Sequence, residues 1–238
     1  MTEAEITART DTSEKWQRAR KPDQRNLRRQ EILQSAYRLF RDEDFSGISL
    51  NSIAREAELS KTSIYLYFKT KEEIFLYIYM QACQNMIDAM VAGLVRLPQN
   101  PGCMDIAEVC VSALWNDEKM CSLSPLVNAS IERNVSDTLL AEVVRLKMNE
   151  SKKLHQAMKR FLPNLSEKNA YEFLLYTINL FSQFIANEKN KQLLCVLGNE
   201  EFSGKNINIR ELFIDGVSRL IYSYGFKCAG LQTDVGFK

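Results

Sequence analysis

Glycine and proline are scarce in this 238-residue chain, nine and five in all, which leaves few natural breaks for a fold built from short strands and turns. Histidine is scarcer still. Only His155 is present, and the six cysteines (Cys83, Cys103, Cys110, Cys121, Cys195 and Cys228) include no C-x-x-C pair. Such spacing assembles no zinc ligand set, so neither a metal nor a cofactor is expected. A Gly-rich phosphate loop is missing too, as is a nucleophile with a plausible base beside it, and no catalytic residue can be nominated. No run of about 18 apolar residues could cross a bilayer, and no charged-then-apolar leader follows Met1. These absences point to a non-enzymatic protein of a reducing cytoplasm, with its cysteines mostly buried as thiols.

What is present fits a soluble helical protein. Hydrophobic residues make up 45% and charged residues 26%, ordinary values for a globular chain long enough for a small domain joined to a larger one. The net charge of +1 says nothing about nucleic acid, but its distribution does. Between Lys15 and Arg41 stand nine basic residues (Lys15, Arg18, Arg20, Lys21, Arg25, Arg28, Arg29, Arg38 and Arg41) against Asp23 and Glu31 alone. Residues 1–25 therefore read as a flexible basic arm. It is either a solvated tail or, given its place just before a set of short helices, a phosphate-contacting one.

From Asn26 the apolar residues Leu27, Ile32, Leu33, Ala36, Tyr37, Leu39 and Phe40 repeat as on an amphipathic helix, which Asp42 to Gly47 ends. Ser49 stands where an N-cap is needed, and Leu50, Ile53, Ala54 and Ala57 come after it at i, i+3, i+4 and i+7, a short second helix. Glu58-Leu59-Ser60 makes the turn. Ser60 can cap a third helix over Lys61–Phe68, with Ile64 and Phe68 facing inward. Two such helices joined by three residues have the size of a helix-turn-helix.

A helix fits the major groove, about 12 Å wide, only if its groove side is free of core residues. Here Lys61, Thr62, Ser63, Tyr65, Leu66 and Tyr67 stay on or near the outside, with an ammonium and hydroxyls for phosphates or base edges and Leu66 for a thymine methyl. Tyr65 and Tyr67 could instead cover a seam between helices. Arg28 in the basic stretch, Ser49 as cap and donor, and Lys71 at the start of the fourth helix are further DNA-contact candidates. Lys71 is either a phosphate seat at a helix N-terminus or a solvated charge.

These residues carry a family resemblance. The run from Ser49 to Ile74, with Ile53-Ala54-Arg55-Glu56-Ala57, Tyr65-Leu66-Tyr67-Phe68 and Lys71-Glu72-Glu73-Ile74, resembles the signature of the TetR family of bacterial regulators. Ala36 to Phe40 matches the end of the family's first helix. Glu58 departs from the glycine usual in the turn, where a non-glycine residue at positive φ costs some stability, and Thr62 departs from a usual Gly or Ala. The resemblance implies an all-α protein, with a three-helix DNA-binding domain over 26–72 and a helical domain over 73–238 that binds a small molecule and pairs with a second copy. Its partners would be a near-palindromic double-stranded operator, an unidentified small-molecule effector and its own copy, with no membrane. It would be cytoplasmic, on the nucleoid when bound to DNA, and most naturally a repressor released by its ligand. A helical interaction protein without specific DNA binding is the alternative.

Helices are expected at about 103–118, 125–134, 137–161, 167–189 and 208–224. In the last two, large apolar residues on more than one side must be covered all round. Tyr171, Leu174, Ile178, Phe181, Ile185, Phe213, Val217 and Leu220 would either fill one chain's core or, as the resemblance implies, form a two-fold interface. A ligand pocket could draw on Met86, Met90, Met104, Trp115, Met120, Met148 and Met158, although such residues are as readily plain core. His155 among lysines reads as a surface histidine.

Overall fold

The computed structural model describes residues 24–189 and 208–225. The basic arm before residue 24, Cys195, Cys228 and the loop glycines Gly198 and Gly204 lie outside the described residues. Those that are described contain helices, turns and no strand. Among the described residues, no helix is long and apolar enough to cross a membrane. The chain divides into two units, Met1–Ile78 and Tyr79–Lys238.

In the first unit, helix α1 covers 24–42, α2 Leu50–Glu56 and α3 Lys61–Ile64, and α4, Lys71–Arg96, contributes its first turns. The periodicity seen in the sequence is the packing observed: Ile32, Leu33, Ala36, Ile53, Ala54, Ile64 and Phe68 are all buried. Leu27, one turn before that stripe, is not part of it and stands exposed. Phe75 on α4 takes the rings of Phe40 and Phe45 edge-on at centroid distances of 5.4 and 5.1 Å. With Ile74 and Ile78 also buried, the start of α4 belongs to this core, and the boundary falls at Ile78 rather than residue 72. The third helix is shorter than its sequence suggests. After Ile64 the backbone tightens into i→i+3 bonds, from the Leu66 N–H to the Ser63 carbonyl and from the Tyr67 N–H to the Ile64 carbonyl.

The second unit holds the rest of α4 with α5 (Cys103–Trp115), α6 (Glu118–Leu126), α7 (Asp137–Met158), α8 (Glu167–Lys189) and α9 (Ile209–Ser223). Two features of α6 were hidden in the sequence. Its first turn is capped by Asp117, whose carboxylate accepts the Met120 N–H, so a new helix starts inside the span expected for a single helix over 103–118. Pro125 inside it removes one backbone donor, and the chain continues through a π turn at Val127–Ile131 and a short 3-10 turn. Helix α9 packs on α5 and α8, and α8 also packs on α6 and α7. Where α4 meets α5, Gly93 is required: a Cβ there would lie 2.5 Å from the Val109 methyl.

The terminal helices correct an expectation. Leu174, Ile178, Phe181, Ile185, Phe213 and Val217 are buried inside the single chain, where Phe181 and Phe213 stack around Trp115, so they cannot also face a second copy. Tyr171 and Leu220 are only partly covered. The large apolar residues that α8 and α9 leave exposed are Tyr176, Leu180, Leu212 and Tyr222.

Candidate nucleic-acid interface

Helices of seven and four residues cannot hold themselves in water, so caps and side-chain bonds must hold α2 and α3. Ser49 and Ser52 form a reciprocal capping box. The Ser52 N–H donates to Ser49 Oγ at 3.1 Å and the Ser49 N–H to Ser52 Oγ at 2.9 Å. Ser60 caps α3 by accepting the Ser63 N–H at 3.1 Å, and the two hydroxyls share a 2.7 Å bond. Between the helices Glu58 sits at φ 53°, the left-handed turn that favours glycine. The departure from the family pattern is thus a real strain on a non-glycine residue.

The short third helix is also pinned from outside. Arg29 on α1 lays its guanidinium over the rings of Phe68 and Tyr77, 5.0 and 4.0 Å from their centroids. Arg25 donates to the Leu66 carbonyl at 3.4 Å, and Arg38 on α1 bonds Glu56 of α2 at 3.0 Å. At the start of α4, Thr70 Oγ1 accepts the Glu73 N–H, and the Glu73 carboxylate accepts the N–H of Lys69, the residue before that cap. The sequence showed these arginines only as charge. What they do depends on rings and carbonyls brought near from distant positions.

Held in this way, the segment presents one outward face. Lys61 and Thr62 are exposed, Tyr65 is 50% and Leu66 70% exposed, and Tyr67 is half-buried. Ser63 is half-buried and its hydroxyl is already engaged with Ser60. Ser49 is exposed beside this face, while Arg28 is exposed but paired with Glu31 at 2.6 Å. A 70% exposed leucine next to a 50% exposed tyrosine has no use in the core of this unit. Lys71 is the correction. Its ammonium donates to the carbonyls of Phe45 and Ile48 at 2.7 and 2.8 Å and lies 4.4 Å from the Phe45 ring. An ammonium has three donors, and two are spent on holding the loop before α2.

In the second unit the residues nominated for a pocket do not come together. Met90, Met120 and Met158 are core, Trp115 packs on aromatic rings, and Met104 and Met148 stand 52% and 48% exposed. A cleft of about 510 Å³ does open between α4 and α5, and of the nominated set only Met86 lines it. Burial pushes the Cys83 thiol up to about 11 and the Cys110 thiol up to about 12, so both are neutral packing groups. His155 is half-buried, with Nε2 donating to the Leu165 carbonyl at 2.8 Å, and is not the solvated surface group expected.

Two family models match the chain: the bacterial regulatory proteins of the tetR family over residues 32–78, and the tetracyclin repressor-like C-terminal domain over 80–194. The chain belongs to the TetR family. It is a helix-turn-helix transcriptional regulator by family, and α2, its turn and α3 are the helix-turn-helix. Solved structures of TetR proteins share the fold at low identity. The TetR family repressor AlkX from Dietzia sp. strain DQ12-45-1b is 14% identical over 82% of this chain and 94% of its own, with a TM-score of 0.52. A TetR-family regulator from Mesorhizobium loti MAFF303099 is 16% identical over 84% and 96%, at 0.51. The fatty acid degradation regulator FadR from Bacillus halodurans is 16% identical over 86% and 96%, at 0.50. No curated protein sequence matches.

Proposed function

We propose that this TetR protein is a homodimeric repressor that reads a near-palindromic operator with the face from Lys61 to Tyr67 and leaves it when a small molecule occupies the second unit. The observation that carries the reading is that exposed face, apolar and hydroxyl-bearing at Tyr65 and Leu66, on a segment fixed by two capped helices and by Arg29. Ser49 and Arg28 flank it as phosphate donors, Arg28 after exchanging Glu31 for phosphate. Tyr65, Thr62 and Lys61 would meet base edges and Leu66 a thymine methyl.

Dimerisation is read from α8 and α9, where Tyr176, Leu180, Leu212 and Tyr222 are exposed. Gly216 lies on the exposed part of α9, where a Cβ would meet nothing within 4 Å, although a mid-helix glycine costs roughly 1 kcal/mol relative to alanine. A close helix contact from a second copy would account for it. A single helix, α4, carries the chain from the first unit into the second, so it is the path by which an effector would alter the DNA-reading unit. A coupling of about 1–3 kcal/mol would change operator affinity roughly 5- to 150-fold.

The test is fluorescence anisotropy with the DNA upstream of the chain's own coding sequence. Salt-sensitive, sequence-selective binding below micromolar is expected, with loss of selectivity in Lys61→Ala/Tyr65→Ala. Binding that ignores sequence, or cellular effects that survive the double variant, would make it the helical interaction protein instead. Sedimentation of Leu180→Glu/Leu212→Glu, expected to be monomeric, checks the dimer.

A further inference from the structure

The cleft between α4 and α5 has a definite chemical character. Its α4 wall is Asn85, Met86, Ala89 and Gly93; its α5 wall is Glu108, Val109, Ser112 and Ala113, and Asn116 and Asp117 close one end. The small side chains along both walls, with Gly93 against Val109, leave an apolar trough. From Gly93 to Asn85 the helix rises over eight residues, roughly 12 Å at 1.5 Å each. No lysine or arginine lines it. The carboxylate of Glu108 is held below its usual range, chiefly by hydrogen bonds from Arg210, which also donates to Ser112 Oγ at 2.8 Å. That charge is therefore matched. At the other end Asp117 uses Oδ1 on the Met120 N–H, and Asn85 and Asn116 are exposed beside it. The carboxylate of Asp117 has no cation opposite it among the residues that line the cleft.

We propose that the cleft binds a small amphipathic organic cation, its ammonium against Asp117 and the carboxamides of Asn85 and Asn116, its apolar chain along Met86, Ala89 and Ala113. The volume, about 510 Å³, falls in the range of small-molecule sites and suits one extended chain of medium length. A carboxylate or phosphate headgroup finds no lysine or arginine among the residues that line the cleft and meets a carboxylate at that end. The inference rests on reading the second unit as the effector-binding part only in so far as occupancy is to be coupled to DNA. Binding itself is a separate question.

Titration calorimetry of the full chain at pH 7 with octylamine, octan-1-ol and octanoate tests it. Octylammonium should bind about tenfold tighter than octanol, the value of one charge-assisted contact, and octanoate weakest. Asp117→Asn keeps a side chain that caps a helix equally well, and should bring octylammonium down to the octanol level while leaving octanol unchanged. Ala113→Phe, or Ala89→Leu should the first not fold, should remove binding of all three. The proposal is overturned if octanoate equals octylammonium, if Asp117→Asn leaves the preference intact, if filling the trough leaves binding intact, or if none of the probes binds. Anisotropy with the operator fragment is read separately. Octylammonium binding without operator release leaves the cleft assignment standing and counts against the ligand-released repressor, whereas absent binding with intact operator recognition does the reverse.

Discussion

In the first unit α2 and α3 are seven and four residues long, whereas in the second α7 and α8 run for 22 and 23. Long helices can be held chiefly by a buried stripe, as α7 is by Leu139, Val143, Leu154 and Met158. The short ones bury only Ile53, Ala54 and Ile64 between them, and are fixed by serine caps, an arginine over two rings and a lysine on two carbonyls. The difference has a functional reading. A segment that must offer its outer face to another molecule cannot cover that face with packing, so polar bonds at its ends and flanks do the positioning. The second unit is held by a larger buried core, and it still leaves a cleft open and Tyr176, Leu180, Leu212 and Tyr222 exposed.

Substitutions that strip the face without touching the supports should show this most strongly. Lys61→Ala/Tyr65→Ala is expected to cost about 100-fold or more in operator affinity, taking roughly 1–3 kcal/mol per base-reading contact, with an unchanged melting temperature. Removing a support should do the opposite. Lys71→Met loses two charge-assisted bonds to carbonyls, so the first unit should lose about 2 kcal/mol of stability in denaturant titration while the salt dependence of DNA binding keeps its slope. A slope lower by about one would put the ammonium on a phosphate instead.

A smaller effect, of opposite sign, is expected at the turn. Glu58→Gly relieves a left-handed residue and should stabilise the first unit by about 1 kcal/mol, measurable as a higher midpoint in urea. The smallest belongs to the second unit. The Glu108 carboxyl is held below its ordinary 4.5 by hydrogen bonds from Arg210. It therefore stabilises the folded state above that value and loses its contribution as pH falls through the lowered one. Acid unfolding of Arg210→Ala should accordingly be less steep than that of the parent below about pH 4.5. The partners are largely solvent-screened, so the difference should be slight.

Much of the first unit could be read directly. The stripe of α1, the caps at Ser49 and Ser60, the inward pair Ile64 and Phe68 and the strained turn at Glu58 are all local features, set by residues within a few positions of each other. The role of Lys71 was missed because its partners lie 26 and 23 residues away and are backbone carbonyls, which carry no sequence signature. Asp117 as a helix cap was obscured because the helix expected over 103–118 runs through it, and the polar stretch Asn116-Asp117-Glu118-Lys119 reads equally as the end of one helix or the start of the next. The cleft was missed for a related reason: small residues such as Ala89, Gly93 and Ala113 advertise nothing, and it is the space they leave that matters.

The sequence by itself determined that the chain is helical, where its short helices begin, which family it resembles, and which side of the third helix is free of core residues. Periodicity, caps and turns act over three or four residues, and that range is enough. Tertiary structure alone decided that Phe181, Phe213 and Val217 fill one chain's core while Tyr176, Leu180, Leu212 and Tyr222 stay outside. A helix apolar on several sides states that it must be covered, but not by what. Only the helices packed against it, brought from far along the chain, choose which apolar side is closed and which is left for another molecule.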